Sequence, residues 1–247
     1  MHDIFTFCKL TESYITAAMK ACNMEKIMKY DIDCGCMKER SDYYVKVLTS
    51  GDEVNTMKLI YTFLDKEPIN AVMEFSEDFK AILSRKLYEM CVPTQWSLGM
   101  IHKGTGCLAG IFLGALHSKN STVNFELPRE MRVLNEFNKG VDLYKQFKVD
   151  KYFDTFVCVV DPKFQRQGIQ GELMALLEHV AADCDAKLMT CTATSAYSYR
   201  NHCKLGYDVV RELKYAEFVD PHSGKKTFEK IPPPHTGARI MIKWLSN

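Results

Sequence analysis

The chain predicts an α/β (α+β) fold in which one central sheet is flanked by helices. Three observations carry this. Phe153 to Val160 is a continuous apolar run, the mark of a buried strand. Leu173, Leu176, Leu177 and Val180 follow it at the spacing of one helix face. Strand-like and helix-like segments then alternate along residues 42–247 with no internal repeat and no low-complexity stretch.

The elements follow in order. Tyr43 to Leu48 is β-rich and stops at Ser50-Gly51-Asp52, which opens a helix to about Leu64 carrying Val54, Met57, Ile60, Tyr61 and Leu64 on one side. Lys66-Glu67-Pro68 interrupts it. A second helix is expected over about Ser76–Met90, with Phe79, Ile82, Leu83 and Leu87. Strands are expected at Ser97–His102 and Cys107–His117, a polar loop at Asn120–Phe125, and a helical stretch at Arg129–Phe147. After the Phe153–Val160 strand, Gln165–Gly171 leads into the amphipathic helix. Lys187–Ala193 is a strand, and Ser198–Leu205 a short helix closed by Gly206. Strands near Asp208–Tyr215 and Ala238–Trp244 flank a loop with Pro232-Pro233-Pro234. Residues 1–41 differ: Thr11–Tyr30 reads as a helix and Asp31–Ser41 as a loop, an extension before a domain at 42–247.

Of the 247 residues 47% are hydrophobic and 26% charged, enough to bury one sizeable core. Thirty-two basic residues against 31 acidic ones leave a formal charge of +1, which argues against a nucleic-acid surface. No run of about 18 apolar residues suggests a membrane span, and Met1–Leu10 lacks the basic start of a secretory signal. The expectation is a cytoplasmic monomer whose ten cysteines are thiols, several of them small core residues.

The chemistry is concentrated in Phe153 to Leu173. A buried strand turns through Gln165-Arg166-Gln167-Gly168-Ile169-Gln170-Gly171 into a helix. A helix start exposes unpaired N–H groups and a partial positive charge. Glycines let the backbone approach a ligand, and Arg166 adds charge, so the segment can seat a pyrophosphate. A plain strand–turn–helix connection would look the same, and the surroundings decide.

The segment is similar to the acetyl-CoA loop of the GNAT superfamily, Gln/Arg-x-x-Gly-x-Gly/Ala: Gln165 and Gly168 match, while position 170 is Gln, whose N–H remains available but whose longer side chain would sit near the phosphates. Asp65-Lys66-Glu67-Pro68-Ile69-Asn70 resembles the acidic-Pro segment of insect-type arylalkylamine N-acetyltransferases. Thr194-Ser195-Ala196-Tyr197-Ser198-Tyr199-Arg200 with Lys204-Leu205-Gly206-Tyr207 resembles that family's Ser-rich turn and helix, and Pro233-Pro234-His235 its tail. The resemblance spans about residues 42–247, in order. It implies a GNAT-like acyl-CoA N-acyltransferase fold with a mixed, mostly antiparallel sheet. It also implies acetyl-CoA as cosubstrate and a small arylalkylamine of dopamine, serotonin or tryptamine type as acceptor.

A primary amine is mostly ammonium at pH 7 and needs a base before it attacks. By resemblance that base is Glu67, acting through water, with its pKa raised in a desolvating cleft. A solvated helix-end carboxylate is the plainer reading of the residue alone. The resemblance further implies that the strand at Cys158, Val159 and Val160 is splayed from the next, so that pantetheine pairs with its edge and a backbone N–H meets the oxyanion. Cofactor contacts are then expected from Cys158, Val159, Val160, Gln165, Arg166, Gln167, Gly168, Ile169, Gln170 and Gly171. Ser198 is the candidate proton donor to the CoA thiolate and Thr194, where the family usually has Ser, the second; both also suit helix caps. Tyr197 and Tyr199 are alternative acids.

Other signals carry less. Gly104-Thr105-Gly106 lacks a third glycine and precedes a strand. Cys34-Gly35-Cys36 has no partnered pair at metal spacing, so no metal is expected. His202 and Cys203, adjacent on a helix, point in different directions. His235 borders the prolines as a structural histidine, and Lys225-Lys226 is a solvated turn. The alternatives are a GNAT enzyme acting on polyamines or protein amines, which needs several acids around its cleft, and a CoA-binding module with weak turnover. Phe63, Phe75 and Phe79 near Glu67 favour an aryl acceptor.

Overall fold

A computed structural model describes residues 42–119 and 132–245. The expected extension at 1–41 and the polar loop at Asn120–Phe125 lie outside these residues. The strands are β1 (Tyr43–Val47), β2 (Leu98–His102), β3 (Cys107–Ser118), β4 (Lys151–Val160), β5 (Leu188–Ala193), β6 (Asp208–Lys214) and β7 (Gly237–Trp244). Among the described residues the α-helices are α1 (Glu53–Lys66), α2 (Asn70–Met73), α3 (Glu77–Cys91), α4 (Arg132–Asn138), α5 (Leu143–Phe147), α6 (Ile169–Asp183) and α7 (Ala196–Lys204).

The strands form one sheet in the order β1-β2-β3-β4-β5-β7-β6. Every pair is antiparallel except β4 with β5. The fold class read from the sequence therefore holds, mixed and mostly antiparallel sheet included.

Two cores, one on each face, fix the sheet between helices. Leu173, Leu176, Leu177 and Val180 of α6, with Ile169 and Met174, pack on Met100, Phe112 and Phe153. On the other face Leu59, Ile60 and Leu64 of α1 and Leu83 and Leu87 of α3 pack on Ile111, Leu113 and Val157. Each buried Leu or Ile contributes about 1.5–3 kcal/mol relative to exposure, so these two stripes set which way both faces turn.

Local sequence sets the helix ends. Ser76 caps α3 by accepting from the Phe79 N–H at 3.1 Å, and Ser195 caps α7 by accepting from the Ser198 N–H at 3.0 Å. Pro68 drives the residue before it toward extended backbone; Glu67 has ψ 131 and ends α1. The single helical stretch expected at Arg129–Phe147 is instead two short helices over its described part. A turn at Lys139-Gly140 separates them, and Asp142 starts α5 by accepting from the Lys145 N–H.

Two further features of the chain differ from expectation or touch on it. Cys91, Cys107, Cys158, Cys191 and Cys203 are free, but Cys184 is disulfide-bonded, which corrects the reading of ten thiols. Scattered spacing does not reveal which cysteines meet in space. No helix among the described residues is long and apolar enough to cross a membrane.

Candidate acyl-transfer site

The site begins at a break between two parallel strands. β4 pairs with β5 only from Tyr152↔Leu188 to Thr155↔Cys191. Beyond that β4 stays on β3, through Val157↔Leu113 to Val160↔Gly110. Phe156 is an extra residue there, because Thr155 faces Gly114 and Val157 faces Leu113. Such a bulge bends a strand and strengthens its twist. It is the local cause of the divergence: β4 follows β3 and leaves β5.

Backbone parity tells which groups face the gap. The Asp161 N–H donates to the Ala109 carbonyl at 2.9 Å, so it points to β3. Main-chain direction alternates along a strand. The N–H groups of Val159 and Val157 therefore also face β3, and those of Cys158 and Val160 face the gap. This agrees with the Val160 carbonyl accepting from Gln165 Nε2 at 3.4 Å. Val159, expected on the free edge with its neighbours, directs its main chain to β3 instead; the bulge and the pairing partner fix this parity, and neither is visible in the sequence.

At the mouth of the gap stands the start of α6. Gly168 is its N-cap with φ 81, a left-handed conformation that suits glycine, and it has no side chain to cap the helix. The Glu172 N–H is the first to bond back, to the Gly168 carbonyl, so the N–H groups of Ile169, Gln170 and Gly171 are open to an anion. Gly110 on β3 admits the helix end: a Cβ there would lie 3.0 Å from Ile169 Cγ2. Arg166 is exposed beside the turn. The Gln167 amide oxygen accepts from the Tyr43 hydroxyl at 2.6 Å, tying the loop to β1. The Gln170 side chain hydrogen-bonds the Cys158 thiol, which turns it back toward β4. Burial pushes that thiol up to about 12, so Cys158 is a neutral wall.

Glu67 lies on the opposite side of the break. Its carboxylate accepts a short hydrogen bond from the Thr194 hydroxyl, just past the end of β5. Burial pushes the Glu67 carboxyl up from its ordinary 4.5 to about 7, against the lowering effect of that bond. The Thr194 carbonyl accepts from the Tyr215 hydroxyl at 2.6 Å. Desolvation, followed by the Glu67 charge, raises the Tyr215 pKa. Ile69, two residues after Glu67, and Tyr215, which feels the Glu67 charge, belong to an apolar cluster with Phe228, to which Phe75 and Phe218 add. Phe63 and Phe79 belong instead to the core of α1 and α3.

Ser198 sits in the first turn of α7, half-buried. His235 Nδ1 accepts from the Ala196 N–H at 3.1 Å and its ring meets Tyr197 edge-on at 5.4 Å; it holds the start of that helix. Tyr199 is covered by the Arg239 guanidinium at 4.1 Å. Its solvent-facing neighbour Tyr197 is exposed.

The structure thus brings Glu67 and Thr194 into contact from positions 127 apart, and the break sets Cys158 and Val160 near the start of α6. Tyr215 and Asp154 were missed by sequence reading. Asp154 is a second acid on β4, on the face that carries α1 and α3. Burial raises its carboxyl to about 7, and His117 Nε2 stands 4.0 Å away, its own pKa lowered by burial to about 4. Each is a single residue on a strand, with no spacing signal to flag it. Among the described residues no group of three His, Cys, Asp or Glu could hold a metal ion.

No protein-family model matches the chain, and no curated protein does. Solved structures do. Arylalkylamine N-acetyltransferase 2 from Aedes aegypti is 25% identical, covers 83% of this chain and 99% of its own, and superposes with a TM-score of 0.71. The polyamine N-acetyltransferase of Drosophila melanogaster, which catalyses formation of N-acetylagmatine, is 20% identical over 83% of this chain and 100% of its own, at 0.67. The C-terminal condensation domain of Ebony, solved with β-alanyl-dopamine, is 14% identical over 82% and 98%, at 0.68. The chain has the GNAT N-acetyltransferase fold and is similar to the insect-type arylalkylamine N-acetyltransferases.

Proposed function

We propose that this chain is an N-acetyltransferase that moves the acetyl group of acetyl-CoA to the primary amine of a small arylalkylamine. The observation that carries the reading is the unpaired edge of β4 at Cys158 and Val160, facing a gap with the open N-terminus of α6 at its mouth. That edge can pair with an extended amide chain, and the helix start can hold a pyrophosphate. Coenzyme A has both groups, in that order along its length. Gln165, Arg166, Gln167, Gly168, Ile169, Gln170 and Gly171 form the phosphate end of the site, and Val159 supports the strand from β3.

The chemistry divides among the chain's own residues. Glu67, with a pKa near 7, takes the proton of the ammonium group, directly or through a water. The Thr194 hydroxyl fixes the orientation of the carboxylate. The Cys158 or Val160 N–H stabilises the negative charge that develops on the acetyl oxygen during attack. Ser198 donates its hydroxyl proton to the departing thiolate and recovers one from solvent. The ammonium nitrogen loses two protons on the way to the amide, one to Glu67 before attack and one to solvent as the tetrahedral intermediate collapses. CoA takes one from Ser198, which recovers one from solvent, so each turnover releases one proton net.

An aryl acceptor is supported by Tyr215, which feels the Glu67 charge and joins an aromatic cluster with Phe228, Phe75 and Phe218, and by the similarity to the Aedes aegypti enzyme. A polyamine acceptor is the second reading, favoured by Asp154, a buried carboxyl on the face of the sheet that carries α1, whose charge could meet a second cation. Purified protein with acetyl-CoA and, separately, dopamine, serotonin, tryptamine, phenethylamine and spermidine tests both. CoA release with the aromatic amines supports the first reading. Release only with spermidine supports the second. Acetyl-CoA binding with no release for any amine overturns both and leaves a binding module.

A further inference from the structure

His202 is 3% exposed, on the turn of α7 that follows Ser198. Its Nδ1 lies 2.8 Å from the Ser198 carbonyl oxygen and 3.3 Å from the Ser198 hydroxyl oxygen. A carbonyl only accepts, so Nδ1 must carry the ring hydrogen. The same N–H is then directed at the Ser198 hydroxyl as a donor. Nε2 carries the lone pair, is buried, and has no hydrogen-bond partner among the described residues. Tyr207 packs against the ring edge-on at 4.9 Å and fixes its plane. Burial lowers the ring's pKa, which keeps it neutral.

This arrangement decides the role of the pair. If His202 accepted from Ser198, as the base of a nucleophilic serine must, a bare Nδ1 lone pair would face a carbonyl lone pair at 2.8 Å. The dyad of a serine nucleophile is therefore excluded. With Nδ1–H donating, a lone pair of the Ser198 oxygen is engaged on the helix side, and its hydroxyl hydrogen must point elsewhere. We propose that His202 is a positioning residue that holds the Ser198 hydroxyl as an outward proton donor. The inference rests on the reading of Ser198 as the acid for the leaving thiolate, and it adds a residue whose i,i+4 spacing from Ser198 sets both side chains on one face of α7.

The test is the single-turnover rate of CoA thiol release with acetyl-CoA and tryptamine, or spermidine if only that amine turns over. It compares the wild type, S198A, H202F, H202N and S198A/H202F. Loss of one buried hydrogen bond is worth about five- to tenfold. The expected result is a fall of about tenfold in H202F with the KM for acetyl-CoA unchanged. H202N keeps an N–H donor near the position of Nδ1 and should fall less than threefold, and S198A/H202F should be no slower than S198A. If H202F does not fold, H202L takes its place. H202F at the wild-type rate beside a slow S198A overturns the proposal and leaves the acid reading standing, as does an H202N as slow as H202F or losses that multiply in the double variant. S198A at the wild-type rate removes the acid reading itself, and the proposal with it.

Discussion

The hydroxyl of Thr194 donates to the carboxylate of Glu67, joining the end of β5 to the end of α1 across the break in the sheet. The bond stabilises the ionised carboxylate, while burial disfavours it more strongly, and the balance leaves Glu67 with a pKa near 7. Thr194→Ala removes the stabilising contribution. The rising limb of kcat/KM against pH should move to higher pH, and Thr194→Ser should restore it. A limb that stays in place in Thr194→Ala would show that the bond does not tune the base.

Glu67 also links stability to pH. Folding raises its pKa from 4.5 to about 7, so the folded protein holds this proton more tightly. The favourable contribution of the neutral acid is complete below about pH 4.5 and is lost as pH rises through about 7. Glu67→Gln, neutral at all pH, should therefore raise Tm by about 7–14 °C at pH 8 and leave it unchanged near pH 4. Differential scanning fluorimetry at both pH values checks this; an equal shift at both would mean that the charge is not buried.

The phosphate end depends on Gly168 holding φ 81. Gly168→Ala must adopt a left-handed conformation at a cost of about 1–2 kcal/mol or move the helix start. Acetyl-CoA affinity should fall about tenfold by calorimetry, in line with that strain, and wild-type affinity would place the phosphates elsewhere.

Gln170 occupies a position where Gly or Ala was expected, but its side chain is engaged with the Cys158 thiol. Gln170→Ala should change the Kd for acetyl-CoA by less than about threefold, the scale of one exposed hydrogen bond. A tenfold gain would mean that the side chain obstructs the phosphates after all.

Much of this site was legible in the sequence because its determinants are local. Pro68 fixes the extended backbone of Glu67. Gly168 marks the start of α6, and the apolar run Phe153–Val160 marks the buried strand. What was not legible depends on partners distant in the chain. The bulge at Phe156 exists only against Leu113 and Gly114, and it decides that Cys158 and Val160, not Val159, face the gap. Tyr215 gains its role from the Thr194 carbonyl. The short helix α2 is held by a contact no propensity reports, the Phe75 N–H donating to the Asn70 side chain at 3.0 Å.

The measurement closest to the central claim is the steady-state rate of CoA thiol release at pH 7.5 for wild type and Glu67→Gln, each with acetyl-CoA and tryptamine, beside calorimetric binding of acetyl-CoA to both. General-base catalysis contributes about 10²–10⁴-fold. The account predicts a fall in kcat of at least about a hundredfold in Glu67→Gln, with acetyl-CoA bound as tightly as by the wild type. Equal rates in the two proteins would contradict it.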